Sequence, residues 1–223
     1  MQNNESLELK NQIARYQYAA DALCDLRTSI APILAKRIIE EPHYQSWGMV
    51  GLLGTLYATD KLDGYLASRR AALVQSADEP TRQLITSDIQ LSDAIAQGGR
   101  KDERADKVLT HTIFLSLAAR EALNKNIPYG ALIGGSDAVM FVRDRIVGKA
   151  RDRAVTIGKK GDARKLGKYK QGLLVVTAMA AVAPLQESNF QKSVSRSIVS
   201  AGMIGGVALS IMSGIDQVRH LRT

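Results

Sequence analysis

The residues of this chain best placed to do chemistry are four aspartates. Asp60 and Asp63 stand three positions apart, and Asp102 and Asp106 stand four apart. On a helix, either spacing puts both members of a pair on one face. Two such faces turned toward each other would bring four carboxylates to a common point, as dimetal centres in helical bundles do. Carboxylates crowded beside apolar segments repel one another, so the cluster needs a compensating cation. Hard divalent ions such as Mg²⁺ or Mn²⁺ supply that charge and take oxygen ligands.

The neighbouring residues narrow the reading. The chain runs Asp60-x-x-Asp63-Gly64-x-x-Ala67 and later Gly98-x-x-x-Asp102-x-x-x-Asp106-Lys107. This pattern resembles the signature of the CDP-alcohol phosphatidyltransferases. The resemblance implies that Asp60, Asp63, Asp102 and Asp106 hold two divalent ions, and that Asp106 also acts as general base. It further implies that Gly64, Ala67 and an arginine flank the CDP moiety. Gly64 and Ala67 share a helix face with Asp60 and Asp63, leaving room for a pyrimidine to approach the backbone. Ser68 stands where the family has its arginine, so Arg69 comes one position later, a turn of about 100° around the helix. Gly98 lies 31 positions after Ala67, a wider gap than the family's. A cytoplasmic helical excursion over about 71–97 accounts for the difference.

Further fragments extend the resemblance. Asp21-x-x-Cys24-x-x-Arg27-x-x-x-x-Pro32 is similar to the family's first helix, with Asp21 and Cys24 in place of the usual Asn and Thr. Arg143-Asp144 with Arg151 resembles the fourth helix. Gly167-Lys168-Tyr169-Lys170 and Ser213-Gly214-Ile215-Asp216-Gln217-Val218-Arg219 are similar to phosphatidylglycerophosphate synthases. The implied reaction is transfer of a phosphatidyl group from CDP-diacylglycerol to glycerol 3-phosphate, releasing CMP. An inositol phosphate acceptor is the nearest alternative, because the same cations would serve it. Guanidinium groups hold phosphate through forked hydrogen bonds, so Arg143 and Arg151, with Lys168 and Lys170, are the candidates for the acceptor phosphate. The family also implies a homodimer in the plasma membrane of a prokaryote, with its active site toward the cytoplasm.

The elements that must position these residues read as helices near a membrane. Pro42–Thr59, Gln171–Gln186 and Ser197–Ile215 contain no Asp, Glu, Lys or Arg, and they approach the roughly 20 residues a bilayer requires. Thr28–Ala35, Val108–Ala119 and Asn126–Met140 are shorter or interrupted. The net charge is +8 and the pI about 9.6, and the charge is unevenly spread. Eleven Lys and Arg against three Asp fall between Arg143 and Lys170. The stretches Lys36–Ser46, Arg120–Ile127 and Leu185–Lys192 hold two, two and one basic residues. That asymmetry predicts both termini and the 143–170 loop on the cytoplasmic side. The expectation is a single all-α domain, a polytopic membrane bundle of about six spans with a polar cavity at its cytoplasmic side.

A mean hydropathy of −0.10 is low for such a protein, as cavity-lining polar residues would make it. Gly202, Gly205 and Gly206, and Ala178, Ala180, Ala181 and Ala183, fit close helix approach. Cys24 and His111 read as buried packing residues, and Trp47 as an interfacial aromatic. The lone cysteine has no disulfide partner within the chain, and residues 1–20 lack the apolar core of a signal peptide. Two other functions compete. One is an inactive membrane scaffold of the same fold. The other is a soluble basic helical protein that binds nucleic acid, against which stands the lack of a nucleic-acid motif or aromatic platform.

Overall fold

The computed structural model describes residues 2–156, 165–185 and 188–222, and among them regular structure is entirely helical. Seven helices follow in order: α1 (Gln2–Glu40), α2 (Trp47–Ser76), α3 (Glu79–Ser87), α4 (Ile89–Leu123), α5 (Ile127–Thr156), α6 (Lys165–Val182) and α7 (Asn189–Arg222). Pro32 lies inside α1 without ending it. At α3, Asp78 caps the first turn by accepting from the Thr81 amide at 3.1 Å, and Pro80 occupies a position that needs no amide donor. Asp88 then accepts from the Leu91 amide at 3.1 Å and opens α4. The excursion expected over about 71–97 is therefore the end of α2, all of α3 and the start of α4.

The chain forms two compact units. One comprises Met1–Pro32 and Gly54–Leu109, the other Ile33–Leu53 and Thr110–Thr223. In the first, Ile13, Ile85 and Leu91 form a core with Leu9, Leu73, Val74 and Ile95 packed against it. Apolar residues from the excursion thus meet the first half of α1, and burying them ties the excursion down.

In the second unit, Leu34, Ile38, Leu53, Ile113, Phe114, Ile133, Met140 and Met203 are buried. Here α6 and α7 approach closely through their small residues. A Cβ on Gly202 would overlap the Thr177 hydroxyl, and one on Gly206 would lie 2.9 Å from a Leu174 methyl. Ala178, Ala181 and Ala183 are buried alongside. The Arg120 guanidinium donates to the carbonyls of Ile38, at 2.7 Å, and Glu41, at 2.8 Å. It satisfies carbonyls at and just beyond the end of α1 that have no partner within the helix.

Among the described residues, one helix is long and apolar enough to cross a membrane: α7, over Asn189–Gln217. It contains the Ser197–Ile215 stretch. The Pro42–Thr59 stretch is divided, because α2 begins only at Trp47 and then continues through Asp60 into polar sequence. Trp47 is 69% exposed at that helix start.

Candidate metal centre

All four aspartates belong to the first unit, and three helices supply the site. α1 carries Cys24 and Arg27, α2 carries Asp60 and Asp63, and α4 carries Asp102 and Asp106. Carboxylate oxygens of Asp60, Asp102 and Asp106 lie within 4.8 Å of one another. Ligand atoms of Cys24, Asp63 and Asp102 form a second group on the same criterion. The two pairs meet, with Asp102 common to both groups.

At their meeting point lies Arg27, whose side chain is wholly buried. Nη1 sits 3.5 Å from Asp60 and donates to Asp106. Nη2 donates to Asp102 at 2.8 Å and also to Asp63. Asp63 is buried, whereas the Asp60 and Asp106 side chains are about one-fifth exposed and Asp102 more so. One guanidinium therefore faces four carboxylates.

The electrostatics follow from that imbalance. Burial, the nearby Asp102 and Asp60 push the Asp63 carboxyl up to about 7, against the opposing pull of Arg27. Burial and the Asp60 and Asp102 charges push Asp106 up to about 8. Arg27 is held above the ordinary guanidinium value; burial opposes this, and the surrounding aspartates outweigh it. Burial and the Asp63 charge push the Cys24 thiol up to about 12, so without a metal it is a neutral neighbour at physiological pH. Hard oxygen donors in excess of the positive charge beside them suit Mg²⁺ or Mn²⁺.

The residues expected around the CDP moiety are differently placed. Gly64 is exposed, and no atom of the described residues lies within 4 Å of where a Cβ would stand, so the backbone is open at this position. Ala67 is half-buried on that helix. Arg69 is exposed and folds along its own helix: its Nε donates to the Tyr65 hydroxyl at 2.9 Å, and its guanidinium lies 5.4 Å from that ring's centroid. Arg70 points inward instead and donates to the Gln17 side chain. Gln17 donates in turn to the Ala94 carbonyl at 3.0 Å. A Cβ on Gly98 would lie 3.1 Å from Gln17 and 3.3 Å from Arg70. Gly98 is thus a close-packing position for α1, α2 and α4.

The residues expected to bind the acceptor phosphate belong to the second unit. Arg143 donates from Nε to the Ser210 carbonyl at 2.8 Å, from Nη1 to Asp144 at 2.7 Å and from Nη2 to the Ser213 hydroxyl at 2.5 Å. Lys170 is buried and donates to both oxygens of Asp144 at 2.9 Å. These contacts join α5 to α6 and α7. Lys168 is exposed. Arg151 falls within α5, but its side chain lies outside the described residues. His111 is buried, as its sequence position suggests, edge-on to Phe141 and 2.7 Å from the buried Asp137.

Sequence reasoning missed Arg27. The signal was present, since the first-helix pattern places it three residues after Cys24, on the same face. Four clustered carboxylates call for a cation, and a guanidinium supplies one as well as a metal ion does. The Asp137 partner of His111 gave no sequence signal, because the two lie 26 positions apart on different helices. Compared with profiles of known families, with curated protein sequences and with solved structures, the chain gives no match.

Proposed function

We propose that this chain is a membrane-embedded CDP-alcohol phosphatidyltransferase, transferring a phosphatidyl group from CDP-diacylglycerol to a small alcohol with release of CMP. The observation that carries the reading is the meeting of Asp60, Asp63, Asp102 and Asp106 from two distant segments, with oxygens of three of them within 4.8 Å of one another. The open backbone at Gly64 beside them supports a nucleotide neighbour. Divalent ions held by the four aspartates would offset charge on the diphosphate. Asp106 would take the proton of the acceptor hydroxyl as its oxygen bonds to the lipid-linked phosphorus. The bond from that phosphorus to the CMP oxygen then breaks, and CMP leaves with the electron pair.

Glycerol 3-phosphate is the favoured acceptor, on the similarity of the 167–170 and 213–219 segments to phosphatidylglycerophosphate synthases; an inositol phosphate is the alternative. Apolar side chains exposed on α5, α6 and α7, such as Val142, Val176, Ile204 and Met212, support a polytopic bundle in contact with lipid. The test is to supply the purified protein with CDP-diacylglycerol, Mg²⁺ or Mn²⁺ and each alcohol in turn, and to measure CMP. Metal-dependent CMP release with one acceptor is the expected outcome. No release with any acceptor would sink the assignment. Retention of the chain in membranes washed with alkaline carbonate tests the membrane placement separately.

Arg27 favours a second reading. Because one guanidinium reaches all four carboxylates, the cluster would serve as a metal-free structural knot in an inactive scaffold of the same fold. Failure to bind Mn²⁺, together with no CMP release, would select it.

A further inference from the structure

We propose that Arg27 is a built-in counter-cation whose two terminal nitrogens occupy the two cation positions of the centre, so that loading the ions displaces the guanidinium. This rests on the metal-centre reading above. The fork of the guanidinium follows the two ligand groups, except that Asp102, common to both, bonds Nη2 alone. Nη1 lies with Asp60 and Asp106, and Nη2 lies with Asp63, Asp102 and the Cys24 sulfur, the last at 3.5 Å. The two ligand groups are Asp60, Asp102 and Asp106, and Cys24, Asp63 and Asp102.

Mg²⁺ draws its oxygen ligands to about 2.0–2.1 Å. A carboxylate oxygen committed to such an ion leaves no space for a guanidinium nitrogen at the same point. The remaining donor of Arg27, Nε, is buried without a hydrogen-bond partner among the described residues. Among the described residues, every hydrogen bond of the guanidinium therefore goes to the cluster or to Cys24 beside it, and no second anchor there retains the group once cations compete for the acids. Until then it limits the repulsion among four carboxylates that α2 and α4 bring together. The arrangement lets the chain fold before metal arrives, and it sets a threshold that the metal must overcome.

The experiment uses the full chain purified in detergent. Mn²⁺ binding is titrated calorimetrically, and thermal melting is followed in chelator and in saturating Mn²⁺, for wild type, Arg27→Gln and Arg27→Lys. Arg27→Gln should melt roughly 10 °C below wild type in chelator, having lost the cation of a buried pair. It should recover in Mn²⁺ and bind Mn²⁺ more tightly than wild type, by on the order of tenfold or more, because nothing has to be displaced. Arg27→Lys keeps the charge on a single nitrogen, and its affinity should fall between the two. Equal or weaker Mn²⁺ affinity in Arg27→Gln overturns the proposal while leaving the metal centre intact. If Arg27→Gln folds only when prepared in Mn²⁺, the affinity order of Arg27→Lys and wild type decides, and a lysine variant no tighter than wild type overturns it. Absence of Mn²⁺ binding in wild type and both variants sinks the metal-centre reading itself.

Discussion

Replacing Lys170 with Met tests how the second unit tolerates its buried charges. Lys170 is 7% exposed and Asp144 6%, and the ammonium contacts both carboxylate oxygens at 2.9 Å. Met fills similar volume but leaves Asp144 with Arg143 at 2.7 Å as its neighbouring cation in α5. Removing one partner of a buried pair costs about 3–5 kcal/mol. The surviving Arg143 bond puts the expectation at about 3 kcal/mol, or a fall in Tm of about 6–12 °C for a chain of this size. Asp144→Asn added to Lys170→Met should restore part of that loss, since it removes a buried charge that has lost one of its cations.

The pH dependence has a definite sign. Burial pushes the Asp144 carboxyl up, but the Lys170 charge, with hydrogen bonds from Lys170 and Arg143, outweighs burial and holds it below its ordinary 3.8. A depressed folded value means that the stabilisation is present above 3.8 and is lost as pH falls through the lower, folded value. In Lys170→Met the carboxyl protonates more readily, so the gap between variant and wild type should narrow on acidification. Melting curves at several pH values in detergent provide the assay. A variant that melts with wild type, or a gap that does not change with pH, would refute the reasoning.

Three other outcomes follow from the same structure. Gly202→Ala should destabilise by about 1–3 kcal/mol, because its Cβ would meet Thr177 Cγ2 at 2.8 Å and Cβ at 2.9 Å; Gly51→Ala, with no atom within 4 Å, should leave the melting temperature unchanged or raised. Asp63 and Asp106 are raised, to about 7 and about 8, so their ionisation opposes folding, and chemical denaturation in chelator should show stability rising as pH falls from 8 toward 5; saturating Mg²⁺ should flatten that slope. Asp106→Asn should lower CMP release by about 10²–10⁴-fold while the circular dichroism spectrum stays that of wild type.

The sequence by itself determined the all-helical class and the facing of residues along each helix. Spacings of three and four put Asp60 with Asp63 and Asp102 with Asp106, and such faces are a local property that the 3.6-residue period fixes wherever a helix forms. The small residues of α6 and α7 were legible for the same reason, since a stripe of Gly and Ala can only pack closely. Cys24 and His111 are buried, as their residue types and helix positions suggested.

Tertiary structure decided everything that depended on a partner from another helix. Arg27 looks like one basic residue among many until α1 is laid against α2 and α4, where it becomes the cation of the cluster. Of two adjacent arginines, packing turned Arg70 inward to Gln17 and left Arg69 on the surface, a distinction set by which neighbouring helix is present at that angle. Gly98, which the motif associates with the site, is where three helices close upon one another. Arg143 and Lys170 read in sequence as free positive charge, and in the fold they are bonded to Asp144, Ser210 and Ser213. Long side chains reach across helices, and what they reach is set by the way the helices pack. A one-dimensional pattern records where a charge is attached, while its partner depends on which distant segment is folded against it.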